Sequence, residues 1–148
     1  MGRLIENKKA KFNYEILEEY ESGIELLGLE VKSIKRKQGS LDGAHVIIRG
    51  AEAYLVGAHI PPYQPNNTSK DYDSYRNRKL LMTKKEIHEI MGKEKMKGFT
   101  VVPISMYLKA RNIKVQVAIV RGKKERDKRE TIKRRESDRQ IDRLLKIQ

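Results

Sequence analysis

Apolar and polar side chains alternate along most of the first 120 residues, and this period of two predicts strands more than helices. Phe12, Tyr14 and Ile16 alternate with polar neighbours, Ser22-Gly23 offers a turn, and residues 24–31 read as a second strand. Gly28 interrupts that run, as at a bulge or a barrel corner. Residues 31–37 read as a short helical piece closed by Gln38-Gly39. Val46-Ile47-Ile48, a turn at Gly50 and then Tyr54-Leu55-Val56, with Ala58 and Ile60, predict a hairpin. Two further strands carry Val102, Ile104, Met106 and Leu108, then Ile113, Val115, Val117 and Ile119, joined by a hairpin loop at residues 109–112.

Two segments break the alternation. Residues 61–77 hold three prolines, three asparagines and two serines, which predicts a long surface loop. Thr83 then stands three residues before Glu86, the spacing of a capping box, and Ile87, Ile90 and Met91 follow at helical intervals. A helix is expected from about 83 towards 96, loosened at Gly92. The expected fold is mainly β: a small closed barrel of the OB type, about six antiparallel strands with one main helix between the fourth and fifth. The order of elements also suits an SH3-like or split barrel.

Charge adds a partner class. The chain has 148 residues, 33 of them Lys or Arg against 20 Asp or Glu, a formal net charge of +13. A compact protein this cationic repels itself, and a polyanion relieves the repulsion. Nucleic acid is the first such partner and an anionic membrane the second, but no apolar run approaches the ~20 residues a membrane helix needs. The N-terminus has no apolar core of signal-peptide length, and cysteine is absent, so a cytoplasmic protein without disulfides or thiolate metal sites is expected.

The excess is unevenly spread. Residues 121–148 carry 12 cations and 6 anions, a net of +6, leaving +7 for the preceding 120 residues. Such a polar tail cannot offset its own ordering entropy by burial. Glu125 and Arg129, Glu130 and Arg134, and Asp142 and Lys146 are nonetheless acid-before-base pairs at helical spacing. Two units follow: an RNA-binding barrel over 1–120 with a basic N-terminal arm, and a tail over 121–148, disordered or helical. Composition leaves open whether the tail orders in an RNA groove or stays a solvated charged helix.

Catalysis is not expected. His45, His59 and His88 lack metal-ligand spacing, no nucleophile elbow or phosphate-cradling loop occurs, and Glu18, Glu19 and Glu21 read as solvated turn carboxylates. No metal, cofactor or small-molecule substrate is implied. Cation clusters are more telling. Arg76-Asn77-Arg78-Lys79 stands at a helix entrance, where free N–H groups already favour phosphate, and Arg121, Lys123 and Lys124 leave the last strand. Tyr63, Tyr72 and Tyr75 offer faces for stacking on bases, or cover a barrel end.

Taken in order, Asn7-Lys8-Lys9-Ala10, Gly28-Leu29-Glu30-Val31-Lys32-Ser33, Arg76-Asn77-Arg78-Lys79-Leu80-Leu81, Arg121-Gly122-Lys123-Lys124 and Asp127-Lys128-Arg129 resemble the motifs of the small protein B, or SsrA-binding, family. The resemblance implies an OB-type barrel that binds the tRNA-like domain of transfer-messenger RNA and delivers it to stalled ribosomes for trans-translation. It implies an RNA face containing Glu21, Leu81 and Thr83, supported by Asn7, Lys8, Lys9, Arg76, Arg78, Lys79, Lys123 and Lys124. It further implies that Arg126, Asp127, Lys128 and Arg129 reach the small-subunit decoding centre and mRNA channel, with the guanidinium of Arg126 in a stacking role. In the RNA complex the protein is expected as a monomer. The alternative is a general basic OB-fold ribosomal or single-stranded RNA-binding protein.

Overall fold

Both strands expected nearest the C-terminus are formed. A computed structural model describes residues 2–68 and 70–122. Its strands and helices are β1 (Gly2–Glu6), α1 (Lys8–Asn13), β2 (Tyr14–Ile24), α2 (Gly28–Lys35), β3 (His45–Arg49), β4 (Glu52–Val56), β5 (Arg78–Leu81), α3 (Lys84–Glu94), β6 (Phe99–Lys109) and β7 (Asn112–Gly122). A single 3-10 turn, Pro65–Asn67, lies in the long loop. β6 and β7 form a hairpin whose last pair is Lys109 with Asn112. The two residues between them, Ala110 and Arg111, have φ of 47° and 74°, the left-handed turn that matches strand twist.

The seven strands form one antiparallel sheet in the order β1-β6-β7-β2-β5-β4-β3. β2 is its hinge: it pairs with β7 from Tyr14↔Gly122 to Gly23↔Lys114, and its last residues turn to β5 through Gly23↔Leu81 and Ile24↔Leu80. The sheet curls enough for β3 to pack on β6. Among the described residues, however, no ladder joins the outer strands β1 and β3, so the expected closed barrel of six strands is instead an open, curled sheet of seven.

Apolar side chains fill two layers. Inside the curl, Val46, Leu55, Leu80, Met106, Val115 and Val117 pack with Ile34 of α2 and Ile87 and Ile90 of α3. On the outer face, Ala10 of α1 covers Val102, Ile104, Ala118 and Val120. β6 is therefore buried on both sides from Val101 to Met106, a run in which hydrophobicity does not alternate.

Local expectations change accordingly. The basic arm folds as β1, paired to β6, followed by α1, so Phe12 is helical rather than in a strand. Asn7 drives this: its side chain accepts from the Ala10 N–H at 3.1 Å and donates to the Leu41 and Pro103 carbonyls. Ser22-Gly23 continues β2 instead of turning, and Gly28 opens α2 rather than bending a strand. Residues 78–81 form β5. The capping box holds as read, since the Glu86 N–H donates to Thr83 Oγ1 at 3.2 Å and the Thr83 N–H donates to Glu86 Oε1 at 3.0 Å. α3 runs on through Gly92.

Candidate nucleic-acid interface

α1 covers only part of the outer sheet face. The uncovered part is a polar surface in which Glu21 of β2 stands opposite Gln116 of β7, and Gln116 opposite Ser105 of β6. Arg3, Glu19, Tyr107 and Lys109 complete a cleft of about 680 Å³ there. Glu21 accepts from the Tyr107 hydroxyl at 2.8 Å and from Lys109 Nζ at 3.1 Å. These partners hold the Glu21 carboxyl below the usual carboxylate range, the Tyr107 hydrogen bond contributing most. Burial and the same carboxylate push the Tyr107 phenol up to about 12. The face is thus polar and oriented, with hydroxyl, amide and ammonium groups arranged around one fixed carboxylate.

Beside it, Leu81 is 51% exposed. It lies over Gly23, where an added Cβ would stand 3.2 Å from Leu81 Cβ. The glycine leaves the space that lets Leu81 lie against β2. Gly23, Leu26, Val31, Leu81, Arg111 and Lys114 line a second cleft, half apolar and rimmed by cations. Thr83, two residues beyond Leu81, is the exposed N-cap of α3.

The Arg76–Lys79 cluster behaves differently from a set of surface cations. Arg78 is fully buried and its Nε donates to Glu30 Oε2 at 2.7 Å. Its other nitrogens donate to the Ala58 and Ser74 carbonyls at 3.0 Å, the Arg76 carbonyl at 3.1 Å and the Tyr72 hydroxyl at 3.2 Å. The Tyr72 hydroxyl donates to the Ile60 carbonyl at 2.8 Å and lies 3.0 Å from Glu30 Oε2. Arg76 binds the same carboxylate through Nε and Nη2, and the Leu27 N–H donates to it at 2.7 Å. Burial, the largest influence, pushes the Glu30 carboxyl up, but the Arg76 and Leu27 hydrogen bonds and the Arg78 charge together bring it below the ordinary range. A buried charge needs such complete pairing. Glu30 thereby fastens the start of α2 to the far end of the long loop, and Tyr72 and Arg78 carry the network on to Ile60 and Ala58 ahead of its start.

The sequence-derived residues therefore sort into three groups. Glu21, Leu81 and Thr83 are exposed, and Glu21 stands two residues before Gly23, the β2 partner of Leu81. Lys8 and Lys9 are exposed on α1, Lys9 facing Asp42 at 3.8 Å, and Lys79 is half-buried against Glu52 at 3.1 Å. Asn7 and Arg78, by contrast, are buried among backbone carbonyls, so their side chains do not present themselves to a ligand. Lys123, Lys124, Arg126, Asp127, Lys128 and Arg129 lie outside the described residues, as does the expected tail. Sequence reading missed Tyr107 and Lys109 as partners of Glu21, because nothing in β6 signals a residue 86 positions away. It also missed Glu30, the third residue of α2, whose carboxylate accepts from the Leu27 N–H; with Leu instead of Ser or Thr at the cap position, no capping box is legible in the sequence.

Among the described residues no helix is long and apolar enough to cross a membrane, and no group of three or more His, Asp or Glu gathers as for a metal. Fold and site together define a small, strongly basic antiparallel β protein with one sheet face left open, the class for which a polyanion is the expected partner. The family model described as SmpB protein matches residues 4–147. The SsrA-binding protein of Gloeothece citriformis is 45% identical over 97% of this chain and 92% of its own length, and that of Synechococcus elongatus 47% over 97% and 93%. The SsrA-binding protein of Mesoplasma florum is 48% identical over 90% of this chain and 89% of its own. A solved chain described as "tmRNA-SmpB: a journey to the center of the bacterial ribosome" is similar at a TM-score of 0.70 and 38% identity, covering 84% of this chain and 87% of that one. The chain belongs to the SmpB family.

Proposed function

We propose that this protein binds the tRNA-like domain of transfer-messenger RNA and delivers it to stalled ribosomes for trans-translation. The observation that carries this reading is the family match across residues 4–147, joined to relatives named as SsrA-binding proteins that align over nearly their whole length. The likeness to a chain from a tmRNA-SmpB complex in the ribosome supports the same partners.

The open outer face supports a division of roles. Glu21, Leu81 and Thr83 form the RNA-reading edge, with Lys8, Lys9, Lys79, Lys123 and Lys124 supplying phosphate contacts. Asn7, Arg76 and Arg78 act from behind, Asn7 by fixing α1 and the two arginines by fixing the long loop. Residues 1–120 are the RNA-binding unit, an OB-type barrel in its curl. Residues 121–148 are the ribosome-directed tail, with Arg126, Asp127, Lys128 and Arg129 at the decoding centre. The protein works without catalysis, in the cytoplasm, as a monomer on its RNA.

RNA specificity then rests on shape and on unpaired loop bases, because A-form grooves conceal sequence. Sequencing the RNA that co-purifies with the tagged protein from its native cells tests the reading. Enrichment of one tRNA-shaped RNA is expected. Recovery of only bulk or single-stranded RNA replaces it with a general basic RNA binder.

A further inference from the structure

α2 ends in a second cluster of cations. Lys32, Lys35, Arg36 and Lys37 fall within six residues. All four are exposed, and among the described residues none takes part in an ion pair. One or two cations at a helix C-terminus are explained by the helix dipole. Four are more than the dipole asks for, and two further features set this cluster apart.

The first is an aromatic support. The Arg36 guanidinium lies 4.7 Å and the Lys32 ammonium 5.6 Å from the centre of the Tyr63 ring. The hydroxyl of Ser33 donates to the Pro61 carbonyl at 2.6 Å, which ties the loop bearing Tyr63 to this helix. Cations held on an aromatic face lose less freedom when they bind an anion.

The second is a conformational cost accepted at Lys37. The helix closes by a Schellman motif, in which the Lys37 N–H donates to the Ile34 carbonyl at 2.8 Å and the Gln38 N–H to the Ser33 carbonyl at 3.0 Å. The residue at that corner must be left-handed, and Lys37 has φ of 61°. Glycine is the unstrained occupant of such a position. Lysine there trades backbone ease for a charge at the exposed end of the cluster.

α2 also touches the proposed RNA edge from its other side, since Val31 lines the same cleft as Gly23, Leu81 and Lys114. From this continuity and charge complementarity we propose that Lys32, Lys35, Arg36 and Lys37, backed by Tyr63, form a phosphate-binding extension of the transfer-messenger RNA site. This inference rests on the function proposed above.

The test uses the full-length protein and the tRNA-like domain of transfer-messenger RNA, titrated across a range of salt. A variant with Lys35→Gln, Arg36→Gln and Lys37→Gly is compared with one carrying Lys93→Gln, Lys95→Gln and Lys97→Gln, which removes the same charge from exposed positions at the end of α3. The α2 variant is expected to bind about tenfold more weakly and to flatten the slope of log K against log salt by about 2, as loss of three phosphate contacts requires. The α3 variant moves both much less. Lys37→Gly alone is expected to raise the urea midpoint of unfolding while weakening RNA binding, an opposition that a merely structural lysine does not produce.

Equal effects of the two triple variants would reduce the cluster to net charge and overturn the proposal. Retained RNA affinity with weakened ribosome association would overturn it too, assigning the patch to ribosomal RNA. Leu81→Asp is the control for the underlying reading. If it binds as well as the unaltered protein and neither prefers the tRNA-like domain over unstructured RNA, that reading fails first and the extension falls with it.

Discussion

Glu30 and Arg78 form a 2.7 Å salt bridge in which neither side chain reaches solvent. Removing one partner of such a pair leaves an uncompensated buried charge, a loss of about 3–5 kcal/mol, whereas replacing both with apolar side chains is often neutral. Arg78→Met and Glu30→Leu are each expected to lower unfolding stability by that order in urea, and the double variant to lose less than the sum of the two, without full recovery, because the Ala58, Ser74 and Arg76 carbonyls and the Arg76 side chain lose their partners as well. Losses that simply add in the double variant would contradict the pairing.

The same pair predicts an acid limb. The folded carboxyl of Glu30 is held below its ordinary value, so its contribution is present above about pH 4.3 and is lost as pH falls through the lowered folded value. Glu21 adds in the same direction. Stability measured from pH 6 down to 2 is expected to fall, and in Glu30→Gln to start lower and fall less steeply. A variant curve parallel to that of the unaltered protein would show that Glu30 is not the group titrating.

At Thr83 structure and proposed function can be separated. Thr83→Ala removes the acceptor for the Glu86 N–H and is expected to cost about 1 kcal/mol, while Thr83→Asn keeps the cap. If Thr83 also meets RNA, the alanine variant binds transfer-messenger RNA more weakly and the asparagine variant much less so, measured where both are fully folded.

Gly23 links the sheet to the proposed site by another route. An added Cβ would meet Leu81 Cβ at 3.2 Å, and because that atom moves only with its backbone, Leu81, the last residue of β5, must shift by a few tenths of an ångström. Gly23→Ala is therefore expected to leave the thermal midpoint within a few degrees but to weaken RNA binding about tenfold, roughly 1.4 kcal/mol. Unchanged affinity would remove Leu81 from the interface. Gly39→Ala is the contrasting case. There φ is +140° and the new Cβ would stand 2.9 Å from the His59 carbonyl oxygen, a backbone atom that cannot yield, so loss of stability by about 1–3 kcal/mol is expected.

Truncation after Gly122 tests the division between body and tail. Affinity for transfer-messenger RNA is expected to fall by no more than the loss of the Lys123 and Lys124 phosphate contacts requires, about tenfold, and ribosome rescue to vanish. A hundredfold loss of RNA affinity, about 2.7 kcal/mol, would show that the tail belongs to the RNA site.

Much of this was legible in the residues alone. β6 and β7, the hairpin between them and the Thr83–Glu86 box follow from near-neighbour spacing, because alternation and capping are local rules. The cationic excess and the ordered motifs likewise pointed to RNA and to the family before any coordinates.

What the chain order could not supply was decided by contacts between distant segments. Asn7 and Arg78 read as cations and polar groups awaiting a ligand, yet carbonyls and a carboxylate up to 96 residues away claim them. Gly28 read as a strand bend and became a helix start once Glu30 found Arg76 and Arg78. Spacing fixes which side chains can share a face. Only burial, which forces every charge in the interior to find its partner, determines which of them remain exposed at the surface.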